Sequence, residues 1–251
     1  MSKRKSVLGI AVLCALALSA VVASSASASS ATAYTCVQGK GVLNGAHCLG
    51  TSGGEYGHVE IKENEVTTGT ATNANTASST TAATTSILKG ALAGVETELS
   101  CTETHGEGTF SNKTEGGEML GHAEGKLHYT GCKVLKPVEK GCKVANEGTI
   151  TTENLTGRTI STTQVEIKPV TGTKFTDIKI ENCSIAALNN TFPVSGTLKA
   201  SITGATLTST HAQTTTDNTL KFGGVKAGLE GALTLKAHSQ AGETTNALTV
   251  T

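Results

Sequence analysis

The sequence contains no tryptophan and few other rings, with three tyrosines and four phenylalanines in 251 residues. Large rings bury the most apolar area per side chain, so a core without them has to be stabilised by other means. No long segment of helical periodicity follows the N-terminal region, which disfavours a helical or α/β fold. The motifs G-x-S-x-G, H-E-x-x-H and G-x-G-x-x-G are also absent. We therefore expect no enzyme of those classes and no cofactor.

The first 28 residues have the three parts of a secretory signal peptide. Lys3, Arg4 and Lys5 give a positively charged start, residues 7–23 form an apolar run, and Ala26-Ser27-Ala28 fits the small-residue cleavage site. The sequence therefore predicts a signal peptide over residues 1–28 and a secreted, extracellular protein. No second apolar run follows, so no transmembrane anchor is expected after cleavage.

The charge balance of the predicted mature chain argues against nucleic acid as a partner. Cleavage leaves 17 basic and 20 acidic residues, a net charge of −3, with Arg158 as the single arginine. Nucleic-acid binding depends on clustered basic side chains. We expect a partner in the cell envelope or the extracellular space, whose identity the composition does not specify.

Six cysteines remain after the predicted cleavage, an even number that predicts three disulfides in an exported chain. We predict two short loops, Cys36–Cys48 and Cys132–Cys142, which leaves Cys101–Cys183 as the third pair. The sequence alone leaves the connectivity open. Zinc binding is the competing use of cysteine, but no Cys-x-x-Cys pair occurs.

A stretch without charged residues divides the predicted mature chain. Thr, Ala, Ser and Asn dominate residues 66–86, and such a composition buries little apolar surface. It predicts a linker or mobile loop, in which a Thr-rich edge strand is the alternative. We expect a small N-terminal module, residues 29–65, closed by Cys36–Cys48, and a main β domain over residues 87–251.

Period-two alternation dominates the main domain and predicts half-buried strands. In GHAEGKLHYTGC, one face carries Ala123, Gly125, Leu127 and Tyr129. In LEGALTLKAH, one face carries Leu229, Gly231, Leu233, Leu235 and Ala237. Further strands are predicted in VEIKPV, FTDIKIENCSI and FPVSGTLKASITGATLTST. The expected fold is all-β, either an antiparallel β-sandwich or a partly closed barrel.

A row of polar side chains on the first of these strands is a weak candidate for a metal site. Its members are His122, Glu124 and His128, and His105 joins them if the segment ETHGEGTF pairs with this strand. Imidazole and carboxylate are common ligands of divalent transition metals. Lys126 lies within the row and would repel a cation, and a solvent-facing strand surface explains the same pattern.

The three tyrosines are weak candidates for a binding surface. Tyr34, Tyr56 and Tyr129 combine an apolar ring with a polar hydroxyl, as binding sites require. Their clustering in one exposed groove would favour a glycan or peptide site, and their burial would count against it.

Several short motifs resemble those of a group of exported actinobacterial proteins of unknown function. They are YTCVQGKGVLNGAHC, GGEYG, LSCTETHGEGTF, LHYTGCKV, GCKVANEGTITTENL, VEIKPVTGTKFTDIKIENCSI and LKFGGVKAGLEGALTL. The resemblance covers most of the predicted mature chain. It implies export and a β-rich fold with disulfides, and it implies no site residue.

Together these features predict a secreted, non-enzymatic structural or interaction protein of the cell envelope. A ligand-binding module for a glycan or a peptide is the alternative. A further alternative is a secreted metal-dependent hydrolase that uses His105, His122, Glu124 and His128.

Overall fold

The structure is a computed structural model that describes residues 31–44, 48, 53–73, 85–138, 140–210, 219–238 and 245–250. The predicted signal peptide lies outside these residues. The strands of the described residues are β1 (Ala33–Leu43), β2 (Tyr56–Glu60), β3 (Thr67–Asn73), β4 (Ser86–Leu92), β5 (Val95–Cys101), β6 (Glu103–Glu115), β7 (Glu118–Thr130), β8 (Lys133–Lys136), β9 (Lys143–Val144), β10 (Ile150–Thr151), β11 (Leu155–Ser161), β12 (Gln164–Pro169), β13 (Lys174–Glu181), β14 (Asn190–Ser195), β15 (Leu198–Thr203), β16 (Thr206–Thr210), β17 (Lys221–Phe222), β18 (Val225–Lys226), β19 (Gly228–His238) and β20 (Thr245–Val250). Two short helical turns, α1 (Ala145–Gly148) and a 3-10 turn (Ala186–Leu188), complete the elements.

Eight strands close into an antiparallel barrel. Their order is β3, β6, β7, β11, β12, β15, β16 and β19, and β19 then pairs with β3. The pairing of β16 with β19, which sets Leu207 opposite Leu233, completes the ring. The predicted all-β class is confirmed, and of the two expected architectures the main sheet adopts the barrel. Closure removes the free edges that an open sheet of these strands would expose.

The alternation predicted for two strands defines the inside of the barrel. On β7 the register sets Ala123 opposite Phe110 and Leu127 opposite Gly106, both on the neighbouring β6. On β19 the register sets Leu235 opposite Ala71 of β3. Because directly opposite residues in an antiparallel pair share a face, these apolar residues all face the barrel interior.

A second sheet covers one end of the barrel. It has the order β18, β17, β14, β13 and β9. Its apolar side chains, including Phe175, Ile178 and Phe222, share one buried cluster with Leu155 and Leu198 of the barrel. The rings of Phe192 and Phe222 meet edge to face at a centroid distance of 6.0 Å. The main hydrophobic core therefore lies between this sheet and the barrel.

The N-terminal segment closes the other end. The carbonyl of Ala31 accepts hydrogen bonds from the amide of Gly121 (2.9 Å) and the hydroxyl of Thr159 (2.6 Å). Ala33 packs with Ile61, Phe110 and Ala237 in a second buried cluster. The predicted N-terminal module is thus hydrogen-bonded into the barrel, and β1 continues the sheet by pairing with β20 and β2.

The predicted linker needs correction in its first part. Thr67–Asn73 forms β3, which pairs with β6 on one side and β19 on the other. This makes it an interior strand of the barrel and neither a loop nor an edge. Thr68, Thr70 and Thr72 lie on the outer face, where Thr70 is opposite Glu107, while Thr67, Gly69 and Ala71 face inward. Residues 74–84 of the predicted linker lie outside the described residues.

Three disulfides join the six cysteines, and two of the predicted pairings are wrong. Cys36–Cys48 matches the prediction, but the other bonds are Cys101–Cys132 and Cys142–Cys183 rather than Cys132–Cys142 and Cys101–Cys183. Strand pairing explains the difference. The register sets Ser100 opposite Lys133 and Glu181 opposite Lys143, so Cys101, Cys132 and Cys142 are each next to a paired position and Cys183 is two residues beyond one. Three disulfides indicate that the chain folds in an oxidising compartment.

Candidate functional site

The barrel encloses two adjoining apolar cavities of about 110 Å³ and 140 Å³. Both are lined by the same five central side chains, Leu127, Leu155, Ile167, Leu207 and Leu233. The first cavity extends towards Phe175 and Val194 of the covering sheet, and the second towards Phe110 at the N-terminal end. The two cavities adjoin across these five side chains and are together called the lumen hereafter. For scale, an apolar cavity of about 150 Å³ in another protein binds benzene.

The inward leucines are less buried than core side chains usually are. Leu99 is 1% exposed in the main core, whereas Leu127, Leu207, Leu233 and Leu235 are only half-buried although they face the barrel interior. Close-packed protein interiors leave few voids larger than a water molecule. The lumen is therefore an apolar space that the side chains of the described residues do not fill.

Glycine creates this space, because seven inward positions of the described barrel strands carry no side chain. They are Gly69, Gly106, Gly108, Gly121, Gly125, Gly157 and Gly231. Some are required by their neighbours, since a Cβ atom on Gly69 would lie 2.3 Å from the ring of Phe110. Gly157 differs, because its Cβ would sit 3.5 Å from Val165 Cγ1 and 3.7 Å from Ala123 Cβ, which is ordinary contact. A side chain at position 157 would enter the lumen.

Tyr129 supplies a polar group in the first cavity. It lies opposite Thr104 of β6 and Ile150 of β10, and it lines the cavity wall. Its side chain is half-buried, and its hydroxyl makes no hydrogen bond within the described residues. Burial raises the pKa of Tyr129 to about 12, because a phenolate would lose its hydration there. The group is therefore a neutral hydrogen-bond donor at physiological pH.

Other polar groups near this end of the lumen are already paired. The hydroxyls of Ser86 and Thr104 are 2.9 Å apart, and the Ser209 hydroxyl donates to the Leu229 carbonyl at 2.6 Å. Glu230 pairs with Lys89 at 3.0 Å. At the inward positions of the eight barrel strands, as far as the structure describes them, no side chain carries a charge.

The three candidate tyrosines do not form one surface. Tyr34 on β1 stacks at 5.4 Å against His58 of β2, and Tyr56 begins β2 opposite Gln38. Neither of them lines the lumen cavities, so Tyr129 alone of the three does so. This separation leaves the glycan or peptide site without the ring cluster that it requires.

The metal candidates lie on the outer face of the barrel and are only partly brought together. β6 and β7 form a hairpin in which His105 is directly opposite His128, with Nε2 of His105 3.2 Å from Glu107. His122 is six residues from His128 along β7, about 20 Å at the rise of a strand. Within the residues that the structure describes, no group of three potential ligands could hold a metal ion.

His122 has a different environment from the other two histidines. Its side chain is 8% exposed, and its Nε2 lies 3.2 Å from Oε1 of Glu115 without making a hydrogen bond. Glu115 instead accepts a hydrogen bond from Arg158 at 3.1 Å. Desolvation lowers the pKa of His122, with Lys113 and Arg158 acting in the same direction and Glu115 and Glu124 opposing. His122 is therefore a neutral, structural side chain at pH 7.

This lowered pKa predicts that acid destabilises the fold. The unfolded chain, with His122 at its ordinary pKa of about 6.5, binds a proton more readily than the folded chain. The contribution of neutral His122 to the free energy of unfolding is therefore fully present above about pH 6.5 and declines as the pH falls below that value. Urea unfolding at pH 7.5, 6.5 and 5.5 measures the decline. We expect a smaller decline in His122→Gln and an unchanged one in the exposed-site control His105→Gln; equal slopes in all three proteins would contradict the prediction.

The sequence contained one sign of the lumen, the alternation of glycine and leucine on β7 and β19, but did not reveal that the barrel leaves space inside.

Within the described ranges, no helix is both long and apolar enough to cross a membrane. Comparison of the chain with protein-family models, with curated proteins and with solved structures found no match in any of the three.

Proposed function

We propose that this protein is a non-enzymatic, extracellular binding protein that holds a small apolar ligand in the lumen of its barrel. The single observation that carries the proposal is the pair of adjoining apolar cavities lined by half-buried leucines and isoleucine. A site for a small molecule is concave, mostly apolar and supplied with few polar groups. The lumen meets each of these conditions, with Tyr129 as the polar group.

The three disulfides support the extracellular part of the proposal. They join β1 to its following loop, the end of β5 to the residue before β8, and the residue before β9 to the segment after β13. Bonds of this kind persist in oxidising environments, as outside the cell. The second and third bonds also fix β5 against β8 and β9 against β13, so the binding site is formed before the ligand arrives.

A lumen-filling substitution tests the proposal. Gly157→Leu places a branched side chain at an inward position where a Cβ atom makes only ordinary contacts, so the fold is expected to survive. The purified protein is titrated with N-phenyl-1-naphthylamine, a neutral probe that fluoresces in apolar surroundings. We expect saturable binding to the wild type and binding weakened by at least about tenfold in Gly157→Leu, since the leucine occupies the same volume.

Thr156→Leu is the matched control, because it adds the same side chain to the same strand on the outer face, opposite Glu124. It should bind the probe as the wild type does. Circular dichroism and thermal unfolding establish that both variants are folded. The absence of saturable binding to the wild type, or equal affinity of folded Gly157→Leu and wild type, would refute the proposal.

A further inference from the structure

The Tyr129 hydroxyl is a polar group on the wall of the first cavity that makes no hydrogen bond within the described residues. The hydroxyls of Ser86, Thr104 and Ser209 are hydrogen-bonded to one another or to the backbone. That of Tyr129 has no partner, although its ring lines the first cavity. A hydrogen bond contributes a net free energy of about 1 kcal/mol, so a ligand that accepts one from this half-buried hydroxyl gains affinity.

No inward side chain of the described barrel strands would compensate a charge on a ligand. The inward positions are apolar, glycine, hydroxyl or amide side chains throughout the described part of the chain. Glu230, which borders the first cavity, is already paired with Lys89. Burying an ionised group without a partner is strongly unfavourable. A carboxylate or an ammonium group is therefore excluded from the interior.

The shape of the lumen limits the ligand further. The two cavities share five lining side chains and extend in opposite directions from them, one towards the covering sheet and one towards the N-terminal segment. Tyr129 belongs only to the first cavity, whereas the second is lined by Phe110, Ala123 and Leu235. A ligand that fills both is elongated, apolar over most of its length, and polar near one end.

We infer that the ligand is an uncharged, elongated apolar molecule with one hydrogen-bond acceptor, such as a ketone, ester or alcohol, which the Tyr129 hydroxyl binds. This inference rests on the proposed function, since it names the class of molecule that the lumen holds. The donor is the phenol, and the acceptor is the oxygen of the ligand. The apolar body of the ligand lies against Leu127, Leu207 and Leu233.

Three naphthalene derivatives of nearly equal size test this inference by displacement of N-phenyl-1-naphthylamine. Naphthalene has no acceptor, 2-acetonaphthone has a neutral carbonyl, and 2-naphthoate is charged at pH 7. We expect 2-acetonaphthone to bind more tightly than naphthalene, and 2-naphthoate to bind at least about a hundredfold more weakly than the ketone. Tyr129→Phe should weaken binding of the ketone by about fivefold, the effect of one hydrogen bond, and leave naphthalene unchanged.

Tyr56→Phe is the matched control, because it removes a tyrosine hydroxyl from β2, outside the lumen. It should leave all three affinities unchanged. If naphthalene binds but the ketone gains nothing over it, or if Tyr129→Phe affects both equally, the assignment of Tyr129 is wrong while the lumen remains a binding site. Tight binding of 2-naphthoate would overturn the neutral ligand class. Failure of every compound, including the fluorescent probe, would instead refute the proposed function.

Discussion

The double variant Cys101→Ala/Cys132→Ala is expected to lose about 4 kcal/mol of unfolding free energy, because the bond closes a loop of 31 residues in the unfolded chain. That loop contains the whole β6–β7 hairpin, the largest pairing of the barrel. Without the bond the unfolded chain gains conformational freedom, and the core near Leu99 loses a buried contact. Urea unfolding by circular dichroism measures the difference.

The matched comparison is Cys36→Ala/Cys48→Ala, whose loop spans only 12 residues. The loop-closure relation gives this variant a smaller loss, about 3 kcal/mol. Tryptic mapping of the unreduced wild type checks the pairing itself, since four cysteines fall in separate peptides, 90–113, 127–133, 141–143 and 180–199. We expect 90–113 linked to 127–133 and 141–143 linked to 180–199. A link between 127–133 and 141–143 would contradict the connectivity.

The variant Asn112→Ala is expected to lower the unfolding free energy by about 3 kcal/mol, since each hydrogen bond to a buried group contributes about 1 kcal/mol. The Asn112 side chain is fully buried. Its oxygen accepts from the amide of Ala33 at 2.8 Å, and its nitrogen donates to the carbonyls of Ala33 and Ile61 at 3.0 and 2.7 Å. Alanine would leave all three backbone groups unpaired where the N-terminal segment closes the barrel.

Asn154→Ala serves as the control, because Asn154 is exposed and its side chain makes no hydrogen bond in the described structure. Its unfolding free energy should change by less than about 0.5 kcal/mol. Hydrogen exchange adds a local measurement, since the amides of Ala33 and Gly121 should lose protection in Asn112→Ala. A loss no larger than that of the control would show that Asn112 does not fasten this end of the barrel.

The strands could be read from the sequence because their determinants are local. Alternation of Ala123, Gly125, Leu127 and Tyr129 with polar residues defines the two faces of β7 wherever its partners lie. The same holds for β19. The proposed pairing of ETHGEGTF with β7 was also accessible, since the Gly116-Gly117 turn joins the two segments. Of the binding residues in the lumen, the sequence predicted only Tyr129, and it predicted a glycan or a peptide as the ligand.

The disulfide connectivity and the role of β3 could not be predicted from local sequence patterns. Loop length favoured Cys132–Cys142, but the pairing of β5 with β8 brings Cys132 within 3.9 Å of Cys101, measured between Cα atoms. The low apolar content of residues 67–73 suggested a linker, whereas two neighbouring strands supply their hydrogen bonds. In both cases the outcome depends on pairing between strands that are distant from one another in sequence.

By itself, the sequence determined that the chain is built of β-strands, which faces of those strands are apolar, and that its cysteines are even in number after the predicted cleavage. These properties depend on side-chain period and composition, which are local. Only the tertiary structure decided that eight strands close on themselves and that their inward glycines face leucines across a lumen. Closure and the remaining space depend on the sum of side chains from all eight strands, and no single segment of the sequence contains that sum.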